Sequence, residues 1–167
     1  MMLLTQLKWR FTVTVTAAAL LTALLSGCEA GDDEQAALSV VNSGTALLEK
    51  GEITKALRLT TSDFLAQPGR LDRKNVLSRM AAFYRLHGEI VILHPTPEVE
   101  ILDSGKAALV SAAFVAAERG VDRKALDDLA DDTEAWEALA SQFTAVEHAE
   151  VSLVKQGDRW LVSSVRF

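Results

Sequence analysis

The sequence predicts an α+β domain with about three N-terminal helices packed on one face of a curved antiparallel sheet. Three observations predict it. Between residues 35 and 87, apolar residues recur at helical spacing, punctuated by glycines and capping residues. After Gly88 the pattern shifts to β-branched, alternating segments separated by turn signals. At the end, residues 145–155 and 159–167 flank Gln156-Gly157-Asp158, a strong hairpin signal.

The first 27 residues stand apart. They contain no acid, and their only charged side chains are Lys8 and Arg10, ahead of an apolar run over 11–25. A positive start, a short apolar stretch and small residues at its end have the form of a secretory signal peptide. At about 15 residues the run is shorter than the roughly 20 that span a bilayer. It ends in Leu25-Ser26-Gly27-Cys28, which resembles the lipobox of bacterial lipoproteins. That resemblance implies that the thiol of Cys28 is acylated and becomes the first mature residue, holding the chain to a lipid bilayer. Cys28 is the only cysteine, so the exported part would contain no disulfide. Residues 28–34 are small and acidic and are expected to form a flexible tether. The lipoprotein resemblance also gives Glu29 a meaning: without an Asp after the cysteine, the outer membrane is favoured over the inner. The expected organisation is a signal peptide at 1–27, lipidated Cys28 and tether at 28–34, and one domain at 35–167 facing the periplasm.

All 23 acidic residues and 15 of the 17 basic ones follow residue 27, giving that part a net charge near −8. Such a balance argues against nucleic acid as a partner, and against the domain clinging to anionic lipid through its own surface.

Within the domain, Ala37, Val40, Val41, Gly44, Leu47 and Leu48 share one face of a first helix over 35–50, which Gly51 ends. A second, shorter helix is expected from Glu52 to about Thr60, with Ile53, Ala56 and Leu57 inward. Phe64 and Leu65 read as a plug beneath a loop that turns at Pro68-Gly69. Asp72 is placed to cap a third helix. Its apolar face carries Val76, Leu77, Met80, Phe83, Tyr84 and His87, and Gly88 ends it.

Strands follow. Residues 89–94 and 98–102 are interrupted by Pro95 and Pro97, which suits an edge. Asp103-Ser104-Gly105-Lys106 forms a turn, and 107–117 a long apolar strand centred on Leu109, Val110, Phe114 and Val115. Before the closing hairpin lies an acidic insertion over 118–141. It carries Asp122, Asp127, Asp128, Asp131, Asp132, Glu134 and Glu137, with Leu126, Leu129, Trp136 and Leu139 at helical intervals. The expected form is one or two short helices, acidic outside and lightly packed inside.

Three places carry a resemblance to a known family. The first helix pair leads into Asp63-Phe64-Leu65, a third helix precedes the first long strand, and residues 151–162 read Val-Ser-Leu-Val-Lys-Gln-Gly-Asp-Arg-Trp-Leu-Val. The order resembles the NTF2-like (cystatin-like, SnoaL-like) superfamily over about 35–167. The resemblance implies a cone of sheet and helices around a pocket. The superfamily holds isomerases, dehydratases and cyclases beside non-catalytic binding and assembly domains, so it implies no particular reaction.

The candidate pocket residues are Met80, Tyr84, Phe114 and Trp160. Tyr84, the sole tyrosine, is the phenol that isomerase-like relatives would place in the cone, although a tyrosine beside Phe83 and Met80 also fits a core. Asp63 and Asp72 read as turn or cap residues. His87, His94 and His148 lack metal-ligand spacing, and the acidic insertion lacks the alternation and glycine of a calcium loop. No metal or cofactor is expected. Arg70, Arg73, Lys74, Arg79 and Arg85 form a basic set that could pair with the insertion or meet an anionic partner, while a solvated helix face is the default reading of both the set and the insertion. The expectation is a lipid-anchored, non-enzymatic module for a small apolar ligand or an envelope protein. An isomerase- or dehydratase-like enzyme using Tyr84 with His87 or His148 is the alternative. A third class is an envelope-assembly component that forms a homodimer through the open sheet face.

Overall fold

The computed structural model describes residues 28–118 and 123–167, and residues 34–167 form one compact unit. The expected signal peptide at 1–27, the side chain of Cys28 and the start of the insertion around Asp122 lie outside the described residues.

Helix α1 spans Cys28–Glu49. It begins earlier than the apolar stripe, so the segment expected as a tether is helical in its backbone. Acidic residues in the first turns of a helix complement its positive end. Gly51, at φ 68°, closes the helix, with its amide donating to the Leu48 carbonyl at 2.8 Å. One short turn, α2 (Ile53–Ala56), continues as a 3-10 turn over Leu57–Leu59, with Ile53 and Leu57 buried. Helix α3 is Arg73–His87. Strands β2 (Ile90–Leu93), β3 (Glu98–Leu102) and β4 (Ala107–Glu118) follow. The insertion holds α4 (Arg123–Asp127) and α5 (Thr133–Ala140). Strands β5 (Glu147–Gln156) and β6 (Arg159–Arg166) close the chain around Gly157, at φ 62°.

One strand was not foreseen. Thr60–Gln67 is β1, an edge strand running parallel to β6, so the sheet is mixed rather than wholly antiparallel. Phe64 and Ala66 point into the core from it, which is why the pair expected as a plug lies in a strand. The six strands run β1-β6-β5-β4-β2, with β3 also on β4. Strand β4 pairs with β5 along one side; on its other side β3 meets residues 107–111 and β2 meets 115–118. Pro95 and Pro97 fall between these two edge segments, where the missing amides break no ladder.

Because side chains alternate across a strand and paired residues share a face, β4 serves two cores. Ala108 and Val110 join Leu153, Val162, Trp160, Phe64, Ala66 and Ala37 on the first face, beneath α1. Ala113 and Val115, of opposite parity, join Leu93 with Leu126, Trp136 and Ala140 of the insertion on the second face. The insertion is therefore not lightly packed: Trp136 is 1% exposed and Leu126 is fully buried. Its acids stay outside, and Asp132 caps α5 by accepting from the Ala135 amide at 3.1 Å. It is also pinned to the proline segment, where the Thr96 amide donates to the Ala130 carbonyl and its hydroxyl to Asp131.

Trp136→Ala is expected to cost about 3–5 kcal/mol of stability, while exposed Asp128→Asn should change it by less than about 0.5 kcal/mol. Denaturant unfolding of both variants checks this, since a loosely attached insertion would give two small effects.

Candidate functional site

The site grows from the ends of α1 and α3. Asp72 caps α3, its carboxylate accepting from the Asn75 amide at 2.8 Å, and Gly88 ends it at φ 74°, its amide donating to the Tyr84 carbonyl. These two caps set the limits of α3, and its apolar side turns inward. Val76 on that side packs against the first core. Further along, Met80, Phe83 and Tyr84 are only half-buried, and α3 contributes no buried residue at all.

Polar contacts tie this end of the helix layer to the sheet. The Tyr84 hydroxyl donates to the Leu48 carbonyl, one of the orphan acceptors at a helix C-terminus. The neighbouring Glu49 carboxylate accepts from the Ile92 amide at 2.9 Å, capping an amide on the outer edge of β2. Ile92 pairs with Ala116 of β4. The C-terminal end of α3 is thus linked, through the end of α1, to the β2–β4 end of the sheet.

At that end the first face changes character. Its near half is filled by Phe64, Leu153 and Trp160, but Ala112, Phe114 and Ala149 are half-buried and Ala116 is exposed. Phe114 is covered only in part by Phe167, whose ring lies 5.7 Å away and is itself largely exposed. An apolar, half-open sheet surface therefore lies at the same end as the half-open side of α3.

The four residues expected to line a pocket are not brought together. Met80 and Tyr84 are on α3, and Phe114 is at the open end. Trp160 pairs with Lys155, one position beyond the Ala107–Val154 pair. At about 3.3 Å per residue, this sets it roughly 25 Å along the sheet from Phe114. It belongs to the filled core instead, where its indole Nε1 has no hydrogen-bond partner and the Lys155 ammonium lies 5.7 Å from the ring centre. Tyr84 is a tie between helices. Glu49 escaped the sequence reading, because a glutamate ending a helix looks solvated and its partner is 43 residues away.

The histidines are scattered. His87 stacks on Phe83 at 4.5 Å, His94 contacts the Pro95 carbonyl, and exposed His148 lies opposite Ala113 on the second face. Among the described residues no three His, Cys, Asp or Glu side chains are grouped to hold a metal ion. Asp72 is a cap as expected, whereas Asp63 is an exposed strand residue. Of the basic set, Arg73 donates to the Leu57 carbonyl at 2.7 Å. No ion pair among the described residues joins the set to the insertion, where Arg123 pairs locally with Asp127.

No protein-family model and no curated protein sequence matches the chain. Solved structures do. An NTF2-like protein with a cystatin-like fold from Novosphingobium aromaticivorans aligns over 87% of both chains, with a TM-score of 0.59 at 10% identity. The fold is NTF2-like. A candidate dehydratase of the NTF2-like family from Streptomyces avermitilis aligns over 81% of this chain and 95% of its own, with a TM-score of 0.57 at 14% identity. The Bdellovibrio bacteriovorus protein Bd1075 aligns over 75% of this chain, with a TM-score of 0.54 at 14% identity. The match spans 36% of that larger chain. At these identities the likeness establishes the NTF2-like fold and leaves the chemistry to this chain's own residues.

Burial, followed by the nearby Glu49 charge, pushes the Tyr84 phenol above its ordinary range. The folded state then keeps the proton after the unfolded chain has lost it, so this group's contribution to stability declines as pH rises past about 10. Tyr84→Phe should lose about 1 kcal/mol at neutral pH through the missing hydrogen bond and show a shallower alkaline decline. Thermal melts between neutral pH and pH about 11 test both signs.

Proposed function

We propose that the chain is a lipid-anchored envelope protein whose NTF2-like domain binds a small apolar ligand at the open end of its first sheet face, without catalysis. The observation that carries this is half-open apolar surface on two elements, Met80 and Phe83 on α3 and Ala112 and Phe114 on β4, at the end where Tyr84 and Glu49 tie the helices to the sheet. Clefts of this kind bind by excluding water from apolar surface, with a few polar groups setting orientation. Glu147 lies opposite Phe114 on the open face, and Tyr84 and Glu49 at the helix ends already serve backbone partners. That engagement favours a binding role over an acid–base one.

The anchor in this proposal is Cys28, on the strength of Leu25-Ser26-Gly27-Cys28, with the outer membrane and the periplasm as its location. None of the helices among the described residues is long and apolar enough to cross a membrane. Two or more acyl chains would give stable attachment without a spanning helix.

A second reading has its own support. The Streptomyces avermitilis neighbour is described as a candidate dehydratase, and this chain sets a phenol beside a carboxylate at the open end. An enzyme of the isomerase or dehydratase kind would need Tyr84 to leave the Leu48 carbonyl and face the substrate. The assembly reading, with a homodimer through the sheet's outer face, is less supported, because Trp136 and its neighbours already cover part of that face.

Titration with a neutral apolar fluorophore such as N-phenyl-1-naphthylamine tests the cleft. The parent chain should bind it, and Ala112→Trp should abolish binding while leaving the fold intact. Binding unchanged by that substitution would place the ligand elsewhere. For the anchor, Cys28→Ala should remove both palmitate labelling and membrane fractionation, and a labelled mutant would refute acylation at this residue.

A further inference from the structure

The overall negative charge conceals a local reversal. Helix α3 contains no acid, and in the stretch 70–87 the only one is Asp72, which is occupied as the helix cap. Arg70, Lys74, Arg79 and Arg85 are all exposed. None of the four forms an ion pair among the described residues, although the acidic insertion belongs to the same domain.

Helical geometry arranges this face. At about 100° per residue, Lys74 and Arg85 fall on one line along the outside of α3. Arg79 and Leu86 fall on a second line about a third of a turn away. Between the two lines lie only short side chains, Ser78 and Ala82, with Asn75. Leu86 is 80% exposed, the most exposed of the large apolar residues described, and it stands beside Arg85 at the C-terminal end of the helix, on the line of Arg79. The helix therefore presents two cationic rails, Lys74 with Arg85 on one side and Arg79 alone on the other, a low floor and one protruding leucine.

We propose that the outer face of α3 docks flat on a bilayer surface containing anionic phospholipid. Cations near such a surface gain attraction from its negative potential, while an exposed leucine gains by entering the hydrocarbon boundary. The strip matches that layered chemistry, with phosphates for the rails and an apolar interior for Leu86. An acidic protein partner would satisfy only the rails. The acids of the insertion would be left to water. This docking does not depend on acylation of Cys28 and would orient the domain with or without it.

The test uses the full chain with Cys28→Ser, so that Leu86→Cys provides a single thiol for an environment-sensitive nitrobenzoxadiazole label. The expected result is a blue-shifted emission on vesicles of phosphatidylcholine with phosphatidylglycerol, but not on phosphatidylcholine alone. Adding K74E, R79E and R85E should weaken this response by about a hundredfold. Raised salt should weaken it in the parent, which keeps the test valid if the triple variant folds poorly. The proposal is overturned if residue 86 gives no shift on the anionic vesicles, or the same shift on both vesicle types. A response that survives both charge reversal and salt also overturns it. A shift that grows with protein concentration in the absence of vesicles would identify a second copy of the chain as the occupant instead, and so would also overturn it.

Discussion

Strand β4 is covered on both faces, but by different partners along its length, and the rest of the structure follows from that constraint. Its sequence, Ala-Ala-Leu-Val-Ser-Ala-Ala-Phe-Val-Ala-Ala-Glu, is apolar nearly throughout, as expected of a strand that must bury both sides. The even positions Ala108 and Val110 serve the core under α1. The odd positions Ala113 and Val115 serve the core under the insertion. Where the second face takes over, the first is released from its duty in the core, and Ala112, Phe114 and Ala116 remain partly open. The candidate cleft is a consequence of that change of partner.

The insertion gains a structural meaning from the same fact. A sheet face without such a cover would have to be polar. Here Trp136, Leu126 and Ala140 make it a second core, while Asp127, Asp128, Asp131, Asp132 and Glu134 keep the outside solvated. Its acidity is that of a cover with a dry underside and a wet top, which is why no ligand role is needed to explain it.

Much of this was legible in the sequence. The stripe of α1, the Asp72 and Gly88 limits of α3, the long strand and the closing hairpin all follow from local signals, and all lie within a few residues of expectation. Strand β1 was not, because Thr60-Thr61-Ser62-Asp63 is polar and its inward pair, Phe64 and Ala66, is too short to establish a period. Nor was the depth of Trp136, since amphipathicity shows that a helix has an inner side but not what it meets. The bond made by Tyr84 was not legible either, since its partner is a backbone carbonyl that no side-chain pattern reveals. Trp160, expected among the pocket residues, lies in the filled core, a placement that depends on strand register and not on any local signal.

The central claim is that one face of β4 is sealed at Ala108 and open at Ala112, while the opposite face is sealed at Ala113. Since Cys28 is the only natural thiol, a Cys28→Ala background allows each alanine to be replaced singly by cysteine and timed against a thiol reagent. Ala108 and Ala113 are 2% and 4% exposed, so cysteines there should react only at the rate of unfolding. A cysteine at position 112 should react orders of magnitude faster, and an apolar ligand should slow it. Equal protection at all three positions would contradict the account, because the cone would then be filled along its whole length.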